Sequence, residues 1–173
     1  MIKSLKICGI SDPKTLNYVL NHPNPPKFIG FITNYTKSKR FVKYEVLKDL
    51  INVDKKNVSF VSVLVNPNDE ILEKIKDLNF DYYQLYDVDA DRTNEIKSKY
   101  KIKIITAITV SSKEDVIKYK DYTNVSDVIL FDSKGYHKSE SFDHNLLNGV
   151  SKKLNKMIAG NIQINDIPNF KNK

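Results

Sequence analysis

Three side chains that could carry out acid–base chemistry and bind an anion lie in an apolar run or in the segment that follows one. Cys8, the only cysteine of the chain, lies in the run 5–10, Asp132 directly follows the run 125–131, and Arg40 lies in the polar stretch after the run 27–32. An ionised thiol can act as a general base and a carboxyl as a general acid, while a guanidinium binds carboxylates. If the three runs are parallel strands, their carboxyl ends share one rim and these groups face one another.

Each of these residues also has a purely structural interpretation. A free cysteine is most often a small buried apolar side chain, an aspartate after a strand can cap the following loop, and an arginine in a loop can be a surface charge. Their common position after predicted strands favours chemistry over the three separate explanations.

Short β-branched runs alternate along the chain with amphipathic stretches, which is typical of βα units and a parallel sheet. The sequence predicts strands at 5–10, 27–32, 58–65, 81–85, 102–110, 125–131 and 156–160. It predicts helices at 15–21, 44–51, 70–78, 89–99, 111–119 and 142–154, and a short helical stub at 166–170.

This order of elements predicts an α/β fold, a TIM (β/α)8-type barrel that forms a single domain over 1–173. No Gly-x-Gly-x-x-Gly follows any predicted strand, which argues against a dinucleotide-binding fold. With seven predicted strands, we expect the eighth βα unit to be absent or truncated.

One cysteine cannot form an internal disulfide, and residues 1–4 lack the apolar region of a signal peptide. We therefore expect a cytoplasmic protein. No apolar run approaches the roughly 20 residues of a membrane span, so no membrane partner is expected.

The formal net charge of +7 raises the question of a nucleic-acid partner. The lysines are spread along the chain, and the nearest approach to a cluster is Lys37, Lys39 and Arg40. The pattern therefore does not favour nucleic acid. It predicts a solvated basic surface that attracts small anions.

The chain resembles phosphoribosylanthranilate isomerase of tryptophan biosynthesis along its whole length. The opening segment Lys6-Ile7-Cys8-Gly9 is the most specific, and the later segments are weak singly but strong in their order. The resemblance is carried by Lys6-Ile7-Cys8-Gly9-Ile10, Phe28-Ile29-Gly30-Phe31, Ser38-Lys39-Arg40, Val63-Leu64-Val65-Asn66, Gln84-Leu85, Leu130-Phe131-Asp132, Phe142-Asp143 and Ile158-Ala159-Gly160.

The resemblance implies a role for each candidate residue in an Amadori rearrangement of N-(5'-phosphoribosyl)anthranilate, a phosphosugar. It implies that Cys8 is the general base, Asp132 the general acid and Arg40 the group that holds the anthranilate carboxylate. It implies no cofactor and no metal. Further substrate-binding residues are expected at Gln84, Gly160, Asn161 and Lys138.

The chain departs from the family's pattern at three places on the expected rim. Tyr86-Asp87 stands where the family has His-Gly, residues 136–141 and His144 replace a glycine-rich turn and a tryptophan, and Gly160-Asn161 replaces paired glycines. Because glycines let backbone amides approach a phosphate, we expect a weakened phosphate site. Lys138 is expected to offset part of this loss with its charge.

Two other functions stay open from the sequence. One is a decayed, weakly active or non-catalytic barrel homologue that keeps Cys8 and Asp132 while its phosphate loops diverge. The other is a basic module that binds RNA or other anions.

Overall fold

The computed structural model describes residues 4–133 and 141–172. Seven strands form one sheet in the order β1 to β7, and every neighbouring pair is parallel. The strands are β1 Lys6–Cys8, β2 Phe28–Ile32, β3 Ser59–Val65, β4 Tyr82–Tyr86, β5 Lys103–Val110, β6 Val128–Ser133 and β7 Lys156–Ile158. The predicted sequential, all-parallel topology is confirmed.

Helices connect the first six strands. They are α1 Pro13–Leu20, α2 Tyr44–Leu50, α3 Asp69–Ile75, α4 Ala90–Tyr100 and α5 Lys113–Ile117, which continues as the 3-10 segment Lys118–Tyr122. Side-chain caps fix three of the starts: Asp12 accepts from the Thr15 N–H, Asn68 from the Ile71 N–H and Asp89 from the Arg92 N–H. These three caps determine where the loops after β1, β3 and β4 end.

The predicted helix at 142–154 is wrong. Only the 3-10 segment His144–Leu147 forms there, capped by the Asp143 side chain, and the backbone is extended at Asn148. Gly149 then adopts a φ of +89°, a left-handed conformation that does not continue a helix. At the predicted stub, 166–170, the chain instead forms a longer 3-10 segment, Ile164–Asn172, with Pro168 inside it.

Strand alternation gives the sheet two different faces. The outer face packs against the helices and holds most of the core, including Ile29, Phe31, Phe60, Leu64 and Leu85. The inner face carries a smaller apolar cluster: Phe28, Val61, Ile105, Ala107, Val128 and Leu130. Residues of matching register continue this inner face to the carboxyl ends of the strands, where its polar side chains lie.

In the part of the chain that the structure describes, β1 and β7 are the two outer strands of the sheet, and each is only three residues long. The sheet curls, because residues of both outer strands line the same interior cavity. Across residues 4–133 and 141–172, no helix has the length and apolar character needed to cross a membrane.

Candidate active site

A cavity of about 1430 Å³ lies inside the curled sheet. It reaches from the carboxyl rim of the strands to their amino-terminal ends. Among its described lining residues Asp132 is the only carboxylate, whereas the cations are Lys6, Lys27, Arg40, Lys152, Lys153 and Lys156. Burial, with the neighbouring charge of Lys152, lowers the pKa of Lys156. This excess of positive charge suits an anionic ligand.

Cys8 ends β1 with its thiol on the inner face, next to the amine of Lys6. The two residues are one strand period apart and therefore point to the same side. On the neighbouring strand β2, Gly30 is the register partner of Cys8. A Cβ placed on Gly30 would lie 2.7 Å from Lys6 Nζ and 3.0 Å from Cys8 Sγ. The missing side chain at Gly30 thus provides the space in which thiol and amine meet.

Arg40 lies across the end of β1. Its Nη1 donates to the Cys8 carbonyl at 2.9 Å, and a Cβ on Gly9, whose φ is +88°, would come within 2.8 Å of the same nitrogen. Gly9 therefore allows both the turn after β1 and the close approach of the guanidinium. The Arg40 side chain is exposed and lines the cavity.

The loop 33–41 that carries Arg40 leaves β2 and returns to it. Phe41 pairs with Ile32 in a parallel bridge, and the Val42 N–H donates to the Ile32 carbonyl at 3.0 Å. At the start of the loop, Asn34 bonds both backbone groups of Val65, at 2.8 Å each. The two ends of the loop are thus fixed beside the strands, and Arg40 lies at its base.

Asp132 lies on the inner face of β6 with both carboxylate oxygens engaged. Oδ1 accepts from the Ser133 N–H at 2.9 Å, and Oδ2 accepts from the Tyr86 hydroxyl at 2.7 Å. Gln84 Nε2 in turn donates to the Tyr86 hydroxyl at 3.1 Å. Gln84 is buried, and its Oε1 has no hydrogen-bond partner among the residues described.

The Tyr86 hydroxyl bonds Asp132 in the buried part of the rim. Burial raises its pKa well above the ordinary value for tyrosine, and the negative charge of Asp132 raises it further. Cys8 lines the same cavity as Tyr86 and Asp132. The hydroxyl itself stays protonated across the physiological pH range.

On the other side of Asp132, the rim is built around glycine. The Ser133 hydroxyl is buried and has no partner in the described part of the chain. A Cβ on Gly160, whose φ is +96°, would lie 2.6 Å from Ser133 Cβ and 2.8 Å from the Ser133 amide nitrogen. Asn161 has a φ of +47°, so it keeps the left-handed backbone that a glycine would adopt there.

The structure brings most of the sequence-predicted residues to one cavity. Cys8, Arg40, Gln84, Asp132 and Gly160 all line it. Asn161 directly follows Gly160 and is exposed. Lys138 lies outside the described residues, so its predicted contribution stays a prediction.

Sequence reasoning did not assign a role to Ser133 or to the Tyr86 hydroxyl. For Tyr86 a signal exists, because residues 84 and 86 are one strand period apart and must share the inner face. For Ser133 the only signal is a polar residue directly after Asp132. In residues 4–133 and 141–172, no three His, Cys, Asp or Glu side chains gather as a metal site would require.

Comparison with protein families gives a match over nearly the whole chain. The family model of N-(5'phosphoribosyl)anthranilate (PRA) isomerase matches residues 5–173. The N-(5'-phosphoribosyl)anthranilate isomerase of Rhizobium etli is 27% identical over 176 residues, covering 96% of this chain and 78% of the relative. That of Zymomonas mobilis is 31% identical over 131 residues, or 75% of this chain and 61% of the relative.

Solved structures of the same name have a similar fold. Phosphoribosyl anthranilate isomerase from Thermotoga maritima superposes with a TM-score of 0.78 at 24% identity, covering 91% of this chain and 76% of that chain. A complex of phosphoribosyl anthranilate isomerase with reduced 1-(o-carboxyphenylamino)-1-deoxyribulose 5-phosphate superposes with a TM-score of 0.64 at 25% identity. It covers 75% of this chain and 64% of that chain.

Proposed function

We propose that this chain, which belongs to the N-(5'-phosphoribosyl)anthranilate isomerase family of tryptophan biosynthesis, carries out the Amadori rearrangement in its cavity. Cys8 acts as the base and Asp132 as the acid. The reaction converts N-(5'-phosphoribosyl)anthranilate to 1-(2-carboxyphenylamino)-1-deoxyribulose 5-phosphate. The observation that carries the proposal is that Cys8, Asp132 and Arg40 line one cavity, in which Asp132 is the only carboxylate among the described lining residues.

In the first step, Asp132 gives a proton to the ribose ring oxygen. The C1–O bond breaks, and the nitrogen lone pair forms a Schiff base with C1. The carboxyl is well placed for this role because Ser133 and Tyr86 hold its two oxygens in a fixed orientation.

In the second step, the Cys8 thiolate removes the proton from C2. The C–H electrons form a C1–C2 double bond, and the Schiff-base nitrogen becomes neutral. The resulting enolamine gives the ketone by losing the proton of its C2 hydroxyl and gaining one at C1. The amine of Lys6 lies beside Cys8 on the same face of the sheet.

The two anionic ends of the substrate have separate candidate sites. Arg40 holds the anthranilate carboxylate through the N–H groups that the Cys8 carbonyl leaves free. The phosphate lies toward Gly160 and Asn161, where the Ser133 hydroxyl has no partner among the described residues, and Lys138 adds its charge. Gln84 contacts the substrate from the cavity wall.

The proposal is tested by the turnover of N-(5'-phosphoribosyl)anthranilate. We expect Cys8→Ser and Asp132→Asn each to lower kcat by about 10²–10⁴-fold with little change in KM, since each removes one proton-transfer group and preserves its shape. Unchanged turnover in Cys8→Ser would return this residue to a packing role. Binding of the reduced product analogue, measured by calorimetry, serves as the control that both variants keep the site.

A further inference from the structure

The Gln84 side chain presents a buried polar atom that the observed hydrogen bonds leave unused. Gln84 is 1% exposed, and its Nε2 donates to Tyr86, while Oε1 has no donor within the described part of the chain. A buried acceptor without a donor is costly, and such groups are rare in folded proteins. Gln84 is the first member of the hydrogen-bonded series Gln84, Tyr86, Asp132. A change in the protonation of Asp132 can therefore alter which donor reaches Gln84.

Asp132 must exist in two protonation states if it acts as the proposed acid, and this inference rests on that function. The observed bonds fit the carboxylate, which accepts from Ser133 and from Tyr86. A proton on Oδ1 would face the Ser133 N–H, a donor that cannot turn away. The proton must therefore be on Oδ2, where the partner is a hydroxyl that can rotate.

We propose that Gln84, Tyr86 and Asp132 form a hydrogen-bond chain that reverses direction when Asp132 takes up its proton. In the reversed chain, Asp132 Oδ2–H donates to the Tyr86 oxygen and the Tyr86 hydroxyl donates to Gln84 Oε1. The Gln84 amide makes a half turn to present that oxygen, and its two ends are nearly equal in size. Tyr86 keeps its own proton throughout and is a positioning residue for Asp132 in both states.

The described polar partners of Asp132 are the Ser133 N–H and the Tyr86 hydroxyl. On the neighbouring strand β5 the register partner of Asp132 is Thr109, and directly after β7 the Ala159 N–H bonds the Phe131 carbonyl; neither Thr109 nor Ala159 is ionisable. The ionisable groups that line this end of the cavity from the described elements are Tyr86 on β4, Cys8 and Lys6 on β1, and Tyr35 and Arg40 in loop 33–41. The reversal involves none of the last four.

The test compares two variants that remove different members of the hydrogen-bond chain. The proton equilibrium of Asp132 is followed by the carbon-13 signal of its carboxyl in the ligand-free protein, assigned with Asp132→Asn. Tyr86→Phe removes the donor to the carboxylate and should raise the midpoint. Gln84→Met removes one bond to Tyr86 from each state, the Nε2 donor from the carboxylate state and the Oε1 acceptor from the protonated state, and should leave the midpoint within about half a pH unit. The Tyr86→Phe shift should be at least about threefold in proton affinity, or half a pH unit.

A hydrogen-bond chain that keeps one direction in both protonation states predicts a different result. Gln84 would then support the carboxylate only through Tyr86, and both variants would raise the midpoint. A midpoint raised in both variants, or unchanged in Tyr86→Phe, would overturn the proposal. Tyr82→Phe is the matched control, because Tyr82 lies on the same inner face of β4 but packs against Phe28, and it should leave the midpoint unchanged. Gln84→Leu replaces Gln84→Met if the latter does not fold.

Two further readouts separate this proposal from the others. Since the titration needs no substrate, a shift in Tyr86→Phe but not in Gln84→Met, in a protein that lacks isomerase activity, would overturn the proposed function while supporting the reversal. In the active enzyme, the reversal predicts a fall in kcat for both variants, with KM within about twofold for Tyr86→Phe. A rise in KM for Gln84→Met without a fall in kcat would assign the amide to the substrate alone and overturn the reversal.

Discussion

The two sides of the cavity rim are built from different parts of the chain. On the acid–base side, formed by Cys8, Arg40, Tyr86 and Asp132, the described contacts run between side chains or from side chain to backbone. On the β7 side, formed by Ser133, Gly160 and Asn161, the geometry depends on left-handed backbone and on the absence of a Cβ. Residue chemistry thus defines one side, and backbone conformation defines the other. Substitutions on the first side should therefore act on catalysis and substrate binding, whereas a side chain added on the second should act on local folding.

The largest effect on the β7 side is expected for Gly160→Ala, with Gly149→Ala as its matched control. Both glycines have a φ near +90°, but their surroundings differ. At Gly160 an added methyl group would collide with Ser133, whereas at Gly149 no described residue beyond the chain neighbours would lie within 4 Å of it. We expect Gly149→Ala to lower the free energy of unfolding by about 1 kcal/mol and Gly160→Ala by about 2–4 kcal/mol. Denaturant unfolding measures both free energies. Equal losses would show that Ser133 can shift to make room for the added methyl group.

On the acid–base side, Arg40→Met should weaken binding without unfolding the chain. Loss of a charge-assisted hydrogen bond costs about 1.5–3 kcal/mol, so KM should rise about 10- to 150-fold. Lys39→Met removes the adjacent cation of the same loop, which does not line the cavity, and should change KM less than twofold. Calorimetry with anthranilate checks the assignment, since comparable losses in the two variants would reduce Arg40 to a general surface charge.

The smallest effect distinguishes two buried hydroxyls. Ser62 bonds Thr33 at 2.8 Å, whereas the Ser133 hydroxyl has no partner among residues 4–133 and 141–172. Ser62→Ala should lower the free energy of unfolding by about 1 kcal/mol, and Ser133→Ala by less than about 0.5 kcal/mol. Affinity for the phosphorylated product should fall about 2- to 10-fold in Ser133→Ala only. If both variants lose equal stability, Ser133 has a structural role and not a binding one.

The acid–base side could be predicted well from the sequence because strand periodicity places its residues. Cys8 and Asp132 follow apolar runs, and parallel strands bring such positions to one rim whatever the details of packing. The contact between Tyr86 and Asp132 could not be predicted in this way. It joins β4 to β6 across an intervening strand and depends on the curl of the sheet, which no local pattern encodes.

The β7 side was harder to predict because its geometry is set by backbone angles. The loss of paired glycines predicts a weakened phosphate site, and this stays a prediction. The backbone angle itself is kept, since Asn161 has a φ of +47°, a conformation that asparagine tolerates better than most residues. The helix expected at 142–154 failed for a related reason, since its apolar spacing continues past Gly149 while the backbone does not.

The closed path of loop 33–41 makes it an exchangeable cassette for protein engineering. Since the loop leaves and rejoins the barrel at Ile32, its length can vary while the strand register stays fixed. Doubling a flexible loop costs only about 0.6 kcal/mol of closure entropy. A library in this segment that keeps Asn34, Arg40 and Phe41 would therefore vary the residues around the proposed anthranilate site while leaving the acid–base pair unchanged.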